Sequence, residues 1–243
     1  MTTSTPTSFH LGRASFAAGA LFFVVLQLPM PAFGDARGAS DGVTTISGAA
    51  RVVDGDTIEI DGQRIRLEGI DAPETAQTCG SKTGGTWACG RGAAKALQAL
   101  VSGSDVSCDS RGRDKYGRVL GICFTDGRDM NATMVKSGMA WAFTKYSQSY
   151  VAEEAVARAA LSGVWQGPSE APWDYRHKGW QVAEAEAPQG CAIKGNVTSK
   201  GHIYHMPWSP WYDRVTVDSG RGEQWFCSEA DAQAAGWRPV LSN

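Results

Sequence analysis

The sequence predicts a mainly β, α+β protein: an OB-fold-type five-stranded Greek-key barrel with packed helices, plus a small C-terminal disulfide-stabilised domain. Three observations predict it. Two alternating apolar and polar runs meet at Asp61-Gly62, a strong hairpin signal. Strand-like runs surround a few helical segments instead of alternating with them as βαβ units would. Six cysteines fall into three local groups, the last of them in a Trp-rich C-terminal stretch.

The 243 residues are 42% apolar and 20% charged, enough for one medium core and a small second unit. Residues 1–34 hold Arg13 and no acid, an apolar run from Ala14 to Leu28 and a small-residue exit at Ala32-Phe33-Gly34. That order reads as a signal peptide cleaved near Gly34. An uncleaved anchor is the alternative, but the run is shorter than the roughly 20 residues of a membrane span. The mature chain is therefore expected to be secreted or periplasmic, with no stable membrane span, and to act as a monomer. Residues 35–47, rich in Gly, Ser, Asp and Thr, read as a flexible lead-in.

From Ala49 to Ile60 and from Arg64 to Ile70 the alternation predicts a β-hairpin. Ala93, Ala94, Leu97 and Leu100 place a helix over 92–101; 105–108 and 118–124 read as strands joined by a polar loop. Helices are expected over 131–137 and 151–162, the second opening at Glu153 and Glu154. Residues 48–176 form the predicted barrel domain. Pro168, Pro172 and Pro188 mark an irregular stretch whose residues 177–189 read as a linker. The C-terminal domain, 190–243, has alternating runs at 192–197 and 215–217, Trp208, Trp211, Trp225 and Trp237, and a short helix over 228–235.

In a chain that leaves the cytosol, an even cysteine count points to disulfides. Of the possible pairings, Cys79 with Cys89, Cys108 with Cys123 and Cys191 with Cys227 keeps each bridge within one segment. Cys-x-x-Cys does not occur, which removes support for a zinc ribbon. Of 23 basic residues, signal cleavage removes only Arg13 and it removes none of the 25 acids, so the mature chain is slightly acidic. A sequence-blind DNA coat held by phosphate neutralisation is excluded by that balance. A slightly acidic enzyme that holds a divalent cation and grips one or two phosphates is compatible with it.

Chemistry concentrates in Asp54-Gly55-Asp56-Thr57, in Arg66 followed by Asp71-Ala72-Pro73-Glu74, and in Asp114-Lys115-Tyr116-Gly117-Arg118. Hard cations such as calcium take carboxylate and carbonyl oxygens, and a phosphodiester needs arginine forks to neutralise developing charge. Taken singly, these blocks read equally well as turns and solvated strand residues. Together and in this order, they resemble the thermonuclease (staphylococcal nuclease-like) family over residues 49 to about 176.

The resemblance implies a calcium-dependent endonuclease acting on DNA, preferably single-stranded, and RNA, leaving 3′-phosphate ends. Asp56 and Asp71 would bind Ca2+, with the main-chain carbonyl of Ala72, where the best-known member has threonine. Glu74 would be the general base, and Arg66 and Arg118 would hold the phosphate. Lys115 and Tyr116 resemble outer phosphate contacts, and Tyr146 offers a stacking or hydroxyl contact or is an ordinary packed aromatic. The Cys79–Cys89 stretch differs in composition from the corresponding loop of the best-known member and reads as a disulfide-closed lobe next to the site, serving as a staple in preference to a substrate contact.

The C-terminal stretch resembles a small module at the end of some bacterial secreted or nuclease proteins. It also resembles a zinc-binding DNA-repair module in its Glu-Ala, Gly and Arg-Pro arrangement but lacks the four cysteines, so no zinc is expected. His202 and His205 read as surface and packing residues, and the aromatics near Lys194, Lys200 and Arg214 chiefly as a core cluster, with a surface for nucleic acid or cell-wall glycan as the alternative. Two other readings compete with the enzyme: a non-catalytic nucleic-acid- or envelope-binding module on the same fold, and an envelope-associated protein whose working part is the C-terminal unit.

Overall fold

The computed structural model describes residues 44–240; the expected signal peptide, residues 1–34, and most of the lead-in lie outside the described residues. The chain runs through β1 (Thr45–Gly48), β2 (Ala50–Val52), β3 (Thr57–Ile60), β4 (Gln63–Leu67), β5 (Ile70–Asp71), β6 (Cys79–Gly80), β7 (Thr86–Trp87) and α1 (Cys89–Val101). There follow β8 (Val106–Arg113), β9 (Val119–Thr125), β10 (Arg128–Asp129), α2 (Met130–Lys136), β11 (Trp141–Ala142), α3 (Val151–Ala159) and α4 (Pro172–Glu186). The C-terminal module holds β12 (Ile193–Thr198), β13 (Gly201–His205), β14 (Gln224–Phe226), α5 (Glu229–Ala234) and β15 (Arg238–Pro239).

The main sheet has the order β1-β8-β9-β4-β3-β2, with β10 on β9. Its two end strands, β1 and β2, are consecutive in sequence and separated only by Ala49, so the sheet must curl to bring its edges together. Gly48 makes that bend at φ 154°, where a Cβ would press on Ile60 at 3.1 Å. The β3–β4 hairpin turns at Asp61 (φ 48°) and Gly62 (φ 77°), both left-handed, as a two-residue loop matched to strand twist requires. Alternation then puts Ile58, Ile60, Ile65 and Leu67 inside, against Leu97 of α1 and Met130 and Met134 of α2. The fold is α+β, mainly β, as the sequence predicts.

Cys108 and Cys123 stand directly opposite in the β8–β9 register and are bridged. Cys79–Cys89 closes the β6–β7 lobe onto the start of α1, and Cys191–Cys227 ties the residues before β12 to those after β14. The module's sheet, ordered β14-β12-β13-β15, packs Ile193, Tyr204, Phe226, Ala232 and Trp237 together.

Three expectations need correction. The lead-in over 35–47 is not irregular to its end: Thr45–Gly48 pairs with β8, since Thr45 and Ile46 are β-branched and Ile46 half-buries against the core. Residues 177–189 are not a linker, because α4 runs through the expected boundary at 176. Pro172 sits at the first helical position, where its missing N–H costs nothing, and Arg176, Lys178, Gln181 and the run Ala183-Glu184-Ala185-Glu186 are good helix formers that carry the helix past Gly179. Val215–Val217 forms no strand; β14 pairs with β12 instead.

Candidate active site

Gly55 and Gly90 set the backbone of the site. A Cβ on Gly55 would meet the Cβ atoms of Ala72 and Ala93 at 2.8 and 2.9 Å, so the 54–57 turn packs flush on the 72–74 loop and α1. A Cβ on Gly90 would lie 1.7 Å from the carbonyl oxygen of Glu74, so α1 supports the main chain at that residue. The Glu74 N–H donates to Gln77 Oε1 (3.1 Å), and the buried Gln77 donates in turn to the carbonyl of Glu170 (2.7 Å). Asp71 lies in β5, held by β11 through the Trp141 register.

On this frame the acids and arginines converge. Asp56 Oδ1 accepts from Arg66 Nη1 at 2.5 Å and from the Thr57 hydroxyl at 3.1 Å, and its Oδ2 accepts the Ala72 N–H at 3.1 Å. Arg66 Nη2 donates to Asp71 Oδ1 at 2.9 Å. Arg176, from α4, donates to Asp71 Oδ1 and Oδ2 at 3.0 and 2.6 Å and to Glu74 Oε1 at 2.8 Å. Asp54 Oδ1 accepts the Asp56 N–H at 3.1 Å.

Charge and burial perturb these groups. Burial pushes the Glu74 carboxyl up to about 7, against the opposing pull of Arg176. Burial and then the neighbouring Asp56 charge raise Asp54 to about 6. Burial also works against the charged form of Asp56, but Arg66 and the Ala72 N–H outweigh it and hold the group below the usual carboxylate range. The arginines are held more firmly charged than usual by the same carboxylates, despite burial.

Arg118 stands one step outward. Its Nε donates to Asp114 Oδ2 at 2.7 Å, while Asp114 Oδ1 caps the turn by accepting the N–H groups of Tyr116 and Arg118. The Arg118 guanidinium and the Lys115 ammonium lie 5.5 and 4.8 Å from the Tyr116 ring centroid. Tyr146 sits at the lip, 72% exposed. With Asp54, Asp56, Arg66, Glu74 and Arg176 these residues line one cleft of about 840 Å³ above the buried Asp71, and its opposite wall is built by the C-terminal module through Met206, Trp208 and Trp211.

Of the residues singled out from sequence, Asp56, Arg66, Asp71, Ala72 and Glu74 come together, and Arg118, Lys115, Tyr116 and Tyr146 ring them. Arg176 was not anticipated, because its surroundings read as a proline-marked irregular stretch. Asp54 lies in a block that sequence marks as acidic, yet no role follows from its position alone.

Among the described residues no three His, Cys, Asp or Glu side chains are grouped as a metal set, since arginines lie between the carboxylates. The donors nonetheless suit a hard cation: they are all oxygen, and Asp56 and Asp71 are buried.

The family model described as Staphylococcal nuclease homologue matches residues 64–167, and that described as ArfC matches 171–239. The chain is 38% identical over 169 residues to a protein of Rhizobium meliloti (strain 1021) named succinoglycan biosynthesis protein ExoI, covering 68% of this chain and 84% of that one. It is 33% identical over 172 residues to a micrococcal nuclease of Shigella flexneri (63% and 87%), and 36% identical over 136 residues to an uncharacterized endonuclease of Escherichia coli (53% and 82%).

Proposed function

Because this chain belongs to the staphylococcal nuclease homologue family, we propose that it is an exported, calcium-dependent endonuclease that hydrolyses DNA, preferably single-stranded, and RNA with little sequence preference. The observation that supports this reading is the meeting of four carboxylates and two arginines at the base of one cleft, with a third arginine at its rim.

Asp56, Asp71 and the Ala72 carbonyl would hold Ca2+, which when bound polarises a phosphoryl oxygen. Glu74 takes the proton of the attacking water, a role that suits a carboxyl raised to about 7 by burial. The water oxygen bonds to phosphorus as the bond to the 5′ oxygen breaks, and that oxygen takes up a proton from solvent, leaving a 3′-phosphate end and a 5′-hydroxyl. Arg66 crosses the base of the cleft and Arg118 keeps its terminal nitrogens for phosphate oxygens, the two neutralising charge as it develops. Lys115 and Tyr116 meet the neighbouring phosphate. Grip on the backbone reads no base edges, hence the weak sequence preference.

Three disulfides suit an oxidising compartment, and no helix among the described residues is long and apolar enough to cross a membrane. The test is degradation of heat-denatured DNA by the purified mature chain with calcium, with a chelator, and with Glu74→Gln in calcium. Cleavage that needs calcium and collapses in the variant is expected. Cleavage indifferent to both, or none by the oxidised wild type, overturns the proposal and puts the binding-module reading in front.

A further inference from the structure

We propose that the C-terminal module gives the cleft a nucleobase platform: Trp208 and Trp211 stack the unpaired bases of the single strand whose phosphate lies at the carboxylate–arginine cluster. This rests on the phosphodiesterase reading above and adds the residues that select an unpaired strand.

The first ground is position. The cleft that begins at Asp56, Arg66 and Glu74 runs without interruption to the 208–211 segment of the module. The second is exposure. Among the described residues the large apolar side chains left open to water include two aromatics, Tyr146 and Trp211, and both line this cleft. Neither Trp208 nor Trp211 belongs to the module's own core, which is complete with Tyr204, Phe226 and Trp237. An aromatic ring held in water forgoes the gain from burial, and a base with its flat apolar face recovers it.

The third ground is rigidity. Ser209 donates its N–H to the Met206 carbonyl (2.8 Å), and Tyr212 donates to that of Ser209 (3.0 Å), folding the segment into consecutive turns. The Trp208 ring is backed by Trp180 at 6.1 Å, and the Arg214 guanidinium lies 5.4 Å from the Trp211 ring. A platform fixed before binding spares the ordering cost on association. The cleft volume lies within the range of about 300–1,000 Å³ that takes up a ligand of small-molecule size, so it admits a few nucleotides of one strand. A duplex keeps its bases stacked inside and offers no face to the two rings.

The experiment compares the full mature chain with Trp211→Ala and Trp211→Phe in calcium, on a short oligothymidylate and on a hairpin duplex, reading KM and kcat separately. Loss of one stacked base predicts a KM for the oligothymidylate about tenfold higher in Trp211→Ala, recovery in Trp211→Phe, and a smaller preference for the single strand over the hairpin. Quenching of tryptophan fluorescence by the oligothymidylate is expected to shrink in Trp211→Ala, and unchanged thermal denaturation shows that the exposed residue was removed without unfolding. Trp208→Ala, read the same way, gives the second point. Wild-type KM and strand preference in a folded Trp211→Ala overturn the platform while leaving the nuclease reading intact. A wild type that cleaves neither substrate overturns both.

Discussion

Arg176 Nη2 lies 2.6 Å from Asp71 Oδ2, joining α4 to the floor of the cleft across a separation of 105 residues. Asp71 is fully buried and Arg176 is half-buried, and the same guanidinium also reaches Glu74. In the absence of a cation it holds two of the carboxylates proposed for metal binding and catalysis. Arg176→Ala therefore leaves buried negative charge that Arg66 alone must offset, a loss of about 3 kcal/mol by the cost of breaking a buried pair. In chelator, melting is expected to fall by roughly 6–12 °C. With calcium the deficit should narrow, because a cation replaces the missing charge, so the calcium-induced rise in Tm is larger in the variant than in the wild type. An equal deficit in chelator and calcium would show that Arg176 does not share its carboxylates with the metal.

The support of Glu74 by α1 gives a second prediction. Gly90→Ala places a methyl group where the Glu74 carbonyl now stands, and a main-chain atom cannot swing aside as a flexible side chain would. The 72–74 loop must move outward, and a displacement of the order of 1 Å at a catalytic group costs about a hundredfold in rate. Steady-state cleavage of denatured DNA is expected to fall in kcat with a smaller effect on KM. Full activity in the variant would mean that the loop's position is not set by α1.

What the sequence made legible, and what it hid, follows from how local each signal is. Asp61-Gly62 needs only its two neighbouring runs to specify a hairpin, and the cysteine pairs are close in sequence. The blocks around Asp56, Asp71 and Arg118 carry enough chemistry together to mark one site. Arg176 carries no such mark: its meaning comes from contacts with residues about a hundred positions away, and Pro172 reads as a breaker unless it is placed at the first turn of a helix. The aromatic run from Trp208 to Trp211 resembles core material by composition, and only the packing shows that Trp237 is buried while Trp211 is not. Val215–Val217 alternates as a strand should, but β12 already has β14 as its partner, and local pattern does not decide which run pairs.

His205 supplies a prediction on pH that is independent of the catalytic groups. It is 5% exposed, and neither ring nitrogen has a hydrogen-bond partner among the described residues. Burial, with Lys194 adding to it, lowers its pKa below the ordinary 6.5. The unfolded chain therefore binds a proton more readily than the folded one, so the contribution of this residue to stability is full above 6.5 and declines as pH falls below that value. His205→Met removes two unpaired buried atoms and the titration together. Denaturant unfolding should show a gain of about 1 kcal/mol at neutral pH and a shallower loss between pH 7 and 5. An acid limb as steep as that of the wild type would assign the pH sensitivity to other groups.

The Cys191–Cys227 bridge closes 36 residues around a module of fewer than 60, too few to build a large core. By loop-closure entropy the bridge stabilises the module by about 4 kcal/mol, comparable with the whole stability of a small domain. Replacing both cysteines by serine is expected to open β12 to β15 while the barrel, with its own core and the Cys108–Cys123 bridge, stays folded. Hydrogen exchange would locate the change: amides of β12 and β13 lose protection, and those of β3, β4 and β9 keep it. Because the module forms the far wall of the cleft, the same variant should lose affinity for single strands more than it loses turnover. Uniform loss of protection across both sheets would instead show that the barrel depends on the module for its stability, and that the two fold as one cooperative unit.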